Sequence, residues 1–217
     1  MKARPPTLTL VVDTDIAKAA STKEEPRASA SRAVLDTMLA VCHRLALSHE
    51  QESEWITHAS GYTLTWMKAM QGKGKWVTVT GPLPVEIQAA IDSIGSDTER
   101  EEVVKDEHLL AMALNADGCI VSMDDKACQR MGVYLAAFDE VQRVGWFNPE
   151  ASEHRVIDWL ESRAPVPEEA HLRRRARSLI DMAAAAQAAA QAEAEEERHR
   201  DRARRAREAR RQNRPNR

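Results

Sequence analysis

The sequence predicts an α/β chain, a three-layer α/β/α arrangement around a mostly parallel central sheet, followed by a long C-terminal helical extension. Two observations carry this. Short aliphatic runs such as LTLVV (8–12) and CIVSM (119–123) alternate with stretches whose apolar residues recur at helical spacing. From about residue 168 the chain turns to Ala, Gln, Glu and Arg, which favour helix but offer no apolar stripe beyond residue 183. The change falls at APVPEE (164–169), so a domain is expected over 1–163 and an extension over 164–217. A chain of 217 residues accommodates one well-packed domain plus such an extension.

The elements follow in order. LTLVV reads as a buried strand whose C-terminal end carries Asp13 and Asp15, and a polar stretch, STKEEPRAS (21–29), follows. Val34, Leu35, Met38, Leu39 and Cys42 have helical spacing, and RLALS (44–48) reads as a second short strand. Ser48 with Gln51 three residues on is a capping-box pattern. It opens a helix expected to run through YTLTWMKAM (62–70) and stop at QGKGK (71–75), with Glu50, Glu52 and Glu54 in its dipole-favoured first turns.

WVTV (76–79) is strand-like and GPLP (81–84) breaks it. PVEIQAAIDSI (84–94) and TEREEVVKDEHLLAMAL (98–114) are helical, and NADG (115–118) ends the second before the strand CIVSM. DKACQRMGVYLAAF (125–138) returns to helix, VQRVGW (141–146) supplies a last strand, and NPE (148–150) caps a helix through VIDWLES (156–162). Trp55, Trp66, Trp146 and Trp159 are expected in the core or facing a partner.

Charge is unevenly spread. Residues 198–217 hold ten Arg against Asp201 and Glu208, or +8, which leaves −11 of the total −3 for residues 1–197. In the extension, Glu196–Arg200 and Asp201–Arg205 have the i,i+4 spacing of helix-supporting ion pairs. Such a basic tail reads as a solvated helix, a phosphate-contacting arm or a docking element for an acidic partner.

Several classes are disfavoured. Cys42, Cys119 and Cys128 form no CxxC pair and sit in or beside apolar patterns, so neither a zinc site nor a disulfide framework is expected. The seven His show no zinc spacing and no Ser/His/Asp arrangement; His108, near the acids, and Lys73, Lys75 and Lys126 are read mainly as solvated groups. No apolar run approaches the roughly 20 residues that cross a bilayer, and LTLVV is too short for a signal sequence. A cytoplasmic chain with no membrane partner is the expectation.

Lengths then bring carboxylates together. From Asp106 to Asn115 is about 13 Å of helix, and from Cys119 to Asp124 about 16 Å of strand. A helix feeding a parallel strand runs antiparallel to it, so Asp106 and Asp124 return to one edge of the sheet. Asp13 ends the first strand at a C-terminal edge, and Glu54 lies in the second turn of a helix that starts where strand 44–48 ends. In open α/β sheets that edge is where ligands bind. Asp106 also borders the stripe Leu109, Leu110 and Ala113, where an uncompensated charge is costly. Four carboxylates in one crevice repel one another unless a hard cation joins them, and oxygen-only donors suit Mg²⁺ or Mn²⁺.

A strand ending in Asp13, a helical Glu54, Asp106 followed by Leu109, Leu110, Ala111 and Ala113, and Gly118 followed by Ile120, Val121, Ser122 and Asp124 together resemble the PIN-domain family of metal-dependent ribonucleases. Leu47 and Ser48 before Glu54 and Trp55 resemble the family's second acidic motif. The resemblance covers roughly residues 7–145 and implies that Asp13, Glu54, Asp106 and Asp124 bind the metal, with Ser122 as the small hydroxyl before the last acid. Asp125 competes with Asp124, Glu50 with Glu54, and Asp15 is an accessory candidate. The resemblance further implies an endoribonuclease acting on RNA, leaving a 5′-phosphate and a 3′-hydroxyl. It also implies two kinds of partner, an antitoxin protein, as for the toxins of this family, and a second copy in a homodimer. The alternative from another class is a catalytically silent scaffold that binds nucleic acid or protein through its basic tail.

Overall fold

The computed structural model describes residues 7–212, with the side chains at 152–154 and 201–212 excepted. β1 (Thr9–Val12) is an uninterrupted buried run and lies at the centre of a five-stranded sheet. α1 (Thr14–Ala19) and α2 (Pro26–Ala40) lead to β2 (Arg44–Leu47), and α3 (His49–His58) and α4 (Gly61–Gly72) lead to β3 (Trp76–Thr78). α5 (Val85–Asp92) and α6 (Asp97–Leu114) return the chain to β4 (Cys119–Val121), on the other side of β1. α7 (Asp125–Tyr134) and the short α8 (Asp139–Gln142) precede β5 (Gly145–Phe147), and α9 (Pro149–Ser162) follows. A single 3-10 turn, Glu168–Ala170, introduces α10 (Leu172–Gln212).

All strand pairs are parallel, in the order β3-β2-β1-β4-β5. The register sets Leu10 beside Leu45 and Val11 beside Ile120. Consecutive side chains leave opposite faces of each strand. Leu10, Val12, Leu45, Leu47 and Val121 therefore join one cluster with Val34, Leu35 and Met38 of α2 and Leu160 of α9. α6 packs against β1 and β4 with Leu109, Leu110 and Ala113 buried. Each fully buried Leu contributes roughly 1.5–3 kcal/mol relative to an exposed one.

All four expected core tryptophans are buried. Trp55 lies 6.2 Å from Trp66, centroid to centroid, and Trp159 stacks on Phe147 at 3.9 Å. Buried His43 ties the sheet to α9. Its Nδ1 accepts from the Leu8 amide at 3.2 Å and its Nε2 donates to the Leu160 carbonyl at 2.9 Å. Burial pushes its pKa down, in keeping with the neutral ring those two bonds require. Cys119 and Cys128 are buried and all three cysteines are free; burial pushes the Cys119 thiol up to about 12.

The structure departs from the sequence reading in four places. The helix expected from 49 through 70 is two helices. Ser60 adopts an extended conformation between them and caps α4 by accepting from the Thr63 amide. The Ser60 hydroxyl also donates to the Ala20 carbonyl, so a tertiary contact fixes the break. α1 was not anticipated; Asp13 caps it by accepting from the Asp15 amide. The last strand begins at Gly145, because 139–142 coils into α8.

The fourth departure concerns the stretch after 163. α9 does end there, at Arg163 in a left-handed conformation (φ 51°). Yet the first compact unit extends to Arg177. Leu172 and Ala176 are buried, and the Leu172 amide donates to the Val144 carbonyl at 2.7 Å. In the second unit, from Ser178, α10 is exposed at every described side chain over 181–200. Glu196 and Arg200 form the expected ion pair, whereas Asp201–Arg205 and the arginine run from 202 lie outside the described side chains. Among the described residues no helix is long and apolar enough to cross a membrane.

Candidate functional site

Strand order reverses at β1: the chain moves to β2 and β3 on one side, then jumps to β4 and β5 on the other. At such a switch point the two crossovers leave the sheet on opposite faces, and a crevice opens beyond the strand C-termini. Asp13 leaves β1 there, and Ser122, Met123 and Asp124 leave β4 beside it. The Asp13 amide extends the ladder by donating to the Val121 carbonyl at 2.9 Å.

Short bonds lock this edge. The buried Ser122 hydroxyl donates to Asp13 Oδ2 at 2.7 Å and accepts from the Asp124 amide at 3.0 Å. The Met123 amide donates to Asp15 Oδ2 at 2.9 Å. Asp124 Oδ1 accepts from the Lys126 and Ala127 amides, both at 2.9 Å, and so caps α7. A cleft of about 490 Å³ is lined by Asp13, Asp15, Asp106, Asp124 and Asp125, with Arg27, Lys105 and Lys126 among its cations.

These carboxylates fall into two kinds. Asp106 meets Arg130 Nη2 at 3.2 Å, and the same guanidinium reaches Glu102 at 3.3 Å. Asp125 meets Arg175 Nη2 at 3.1 Å. At the end of β1, by contrast, the ion pair among the described residues is a long one, Arg27 Nη2 at 3.8 Å from Asp15.

Burial pushes the Asp13 pKa up, opposed by the Ser122 hydrogen bond. Burial, and then the Asp13 charge, push Asp15 up to about 7. Asp106 is also raised, by burial against the hydrogen bond from Arg130. Asp15 Oδ1 is buried and finds no hydrogen-bond partner among the described residues. An orphaned carboxylate oxygen beside a second buried carboxylate is chemistry that a hard cation satisfies.

The sequence-expected residues are placed as follows. Asp13, Asp106 and Asp124 line the cleft, together with the accessory candidates Asp15 and Asp125. Glu54 is exposed and not part of that lining; it neighbours the site through Thr14, whose hydroxyl donates to its Oε2 at 2.9 Å. Glu50 is exposed as well. Ser48 caps α3 through the Gln51 amide, but the Gln51 side chain does not close the box. It is buried and donates to the Val12 carbonyl at 3.2 Å. Lys75 donates to the Met38 and Leu39 carbonyls, ahead of β3 and away from the strand C-termini.

Arg27, Arg130 and Arg175 were not singled out by the sequence. Arg27 sits in the unremarkable polar stretch, while Arg130 and Arg175 lie 24 and 50 positions from the acids they meet.

The donor set fits Mg²⁺ or Mn²⁺ in its chemistry: carboxylate oxygens, one of them orphaned, with cysteine absent from the cleft lining. In geometry the carboxylates stand apart. Among the described residues no three His, Cys, Asp or Glu side chains are grouped closely enough to hold one ion. No family model, curated protein or solved structure matches the chain. The PIN-like resemblance therefore rests on this chain's own residues.

Proposed function

We propose that the cleft is the active site of a PIN-like, divalent-metal-dependent endoribonuclease. The observation that carries this is the set of five aspartates lining one cleft at the switch point of a parallel sheet, with Asp13 in no ion pair among the described residues and Asp15 meeting only the distant Arg27, at 3.8 Å. Asp13 and Asp15, adjacent at the end of β1 with one carboxylate oxygen unbonded, would be the first to offer oxygens to an ion; Asp106 and Asp124 stand farther off and complete no three-acid cluster among the described residues. A bound Mg²⁺ or Mn²⁺ supplies Lewis acidity toward phosphoryl oxygens and lowers the pKa of water.

The chain's own groups do the rest. Ser122 fixes one Asp13 oxygen and the Asp124 backbone, so the two acids keep their spacing. The Met123 amide anchors Asp15 Oδ2 and leaves Oδ1 unbonded. Lys105 and Lys126 line the same cleft and suit a phosphodiester's charge. No nucleophilic side chain is required. RNA is the proposed substrate, and an antitoxin covering the cleft or a second copy of the chain are the proposed protein partners.

A second reading has a specific observation behind it. Arg130 and Arg175 neutralise Asp106 and Asp125, which favours a catalytically silent scaffold. One assay separates the two: wild type and Asp106→Asn incubated with single-stranded RNA in Mn²⁺ and in EDTA. Mn²⁺-dependent cleavage that leaves 5′-phosphate ends, reduced at least a hundredfold in the variant, supports the enzyme. RNA binding without cleavage in either protein supports the scaffold.

A further inference from the structure

The acidic cleft continues past Asp15. A second lobe, of about 530 Å³, shares Asp15 and Arg27 with it and adds Lys18, Lys23 and Glu25 from the α1–α2 region. Lys18 lies in the last turn of α1, and Lys23 lies in the connection to α2. Neither ammonium forms an ion pair or side-chain hydrogen bond among the described residues.

The connection is braced from α2. Arg32 Nη1 donates to the Ser21 carbonyl and, at 2.7 Å, to the Lys23 carbonyl, while Nη2 pairs with Glu24 at 3.4 Å. The Lys23 amide donates to the Ser21 hydroxyl at 3.4 Å. One guanidinium thus holds two carbonyls and the Glu24 carboxylate, while Glu25 lines the lobe itself. That brace lowers the entropy lost when an anion binds and keeps Glu24 from Lys23.

Lys18 and Lys23 share their lobe with Asp15 and Glu25, yet neither forms an ion pair with a carboxylate among the described residues, so they do little to neutralise the aspartates. They are a good arrangement for a chain of phosphates. Lys105 and Lys126 line the acidic cleft itself, so cations are present in both lobes. Lobes of about 490 and 530 Å³ match small-ligand sites and are too small to seat a duplex. The second lobe's lining includes no aromatic side chain on which a base could stack, so its contacts are with the backbone.

We infer that Lys18, Lys23 and Arg27 form a phosphate-binding subsite for single-stranded RNA, holding phosphates next to the one at the carboxylates. The inference rests on the nuclease reading above and extends it. The subsite is independent of base identity and adds affinity that weakens with salt.

The test uses the full chain and a fluorescein-labelled polyuridine strand, with Asp106→Asn as a common background that suppresses turnover. Anisotropy titrations over a salt series compare this parent with Lys18→Gln/Lys23→Gln and Lys18→Glu/Lys23→Glu. Two lost phosphate contacts should reduce the log–log salt slope by about 1.4, at roughly 0.7 per contact for single strands. The Glu pair should bind more weakly still. The arginine tail is the same in all three proteins, so the difference in slope reports the lobe alone.

Cleavage assays without the Asp106 change should show the Gln pair raising KM rather than lowering kcat. Unchanged slopes with cleavage intact would overturn the subsite and leave the nuclease reading standing. A reduced slope with a wild type that never cleaves would sustain the subsite and sink the nuclease reading. A wild type that binds no RNA would overturn both.

Discussion

Asp13 and Asp15, at the end of β1, are served by a hydroxyl and by amides, with one guanidinium 3.8 Å from Asp15. Asp106 and Asp125, on α6 and α7, each meet an arginine nitrogen within 3.2 Å. All four line the same cleft. On the α6 and α7 side the charge is compensated and the ion pairs tie elements together. On the β1 side the charge is left over, and folding carries the repulsion.

The largest effect expected from this contrast is on the compensated side. Arg130→Ala leaves Asp106, whose side chain is 14% exposed, without its partner. The loss should be about 3 kcal/mol in urea unfolding, near the lower limit for breaking a buried pair. Adding Asp106→Asn should restore more than half of it. A double variant no more stable than the single would mean that Arg130 acts through packing and not through charge.

The uncompensated side should respond with the opposite sign. Asp15 is raised from 3.8 to about 7 in the folded state. Below pH 3.8 both folded and unfolded chains hold the proton and no penalty exists. As pH rises toward 7 the unfolded chain ionises first, so the contribution to stability is lost progressively and is gone above 7. Asp15→Asn should therefore stabilise the protein at pH 8 in EDTA by about 2 kcal/mol. That is roughly half of what three pKa units at 1.36 kcal/mol each would give, because water entry relieves part of the burial penalty, the main cause of the shift. The gain should vanish near pH 3. Thermal unfolding at the two pH values checks it, and a destabilised variant at pH 8 would refute the contrast.

The smallest change tests the lock between β1 and β4. Ser122→Ala removes the donor to Asp13 and the acceptor for the Asp124 amide, and should cost about 1 kcal/mol. It should also raise the Asp13 pKa further, which carboxyl NMR titration would read directly. An unchanged titration would separate Ser122 from the carboxylate it touches.

Much of the scaffold was legible because its signals are local. Four buried residues before Asp13, the Ser48 cap and the Leu109, Leu110, Ala113 stripe each lie within a few positions of what they specify. Helix and strand lengths were enough to bring Asp106 and Asp124 to one cleft. The α3–α4 break escaped because the Ser60 hydroxyl bonds to Ala20, forty positions away. α1 escaped because its cap is the same Asp13 that reads as the end of a strand.

The sequence alone determined the alternating elements, the parallel sheet and which aspartates leave its C-terminal edge, since apolar period and rise per residue act over a single turn or strand. Only the tertiary structure decided which of those aspartates are neutralised. Ion pairs depend on distance through space, and no spacing along the chain announces that Arg130 will meet Asp106 or that Arg175 will meet Asp125.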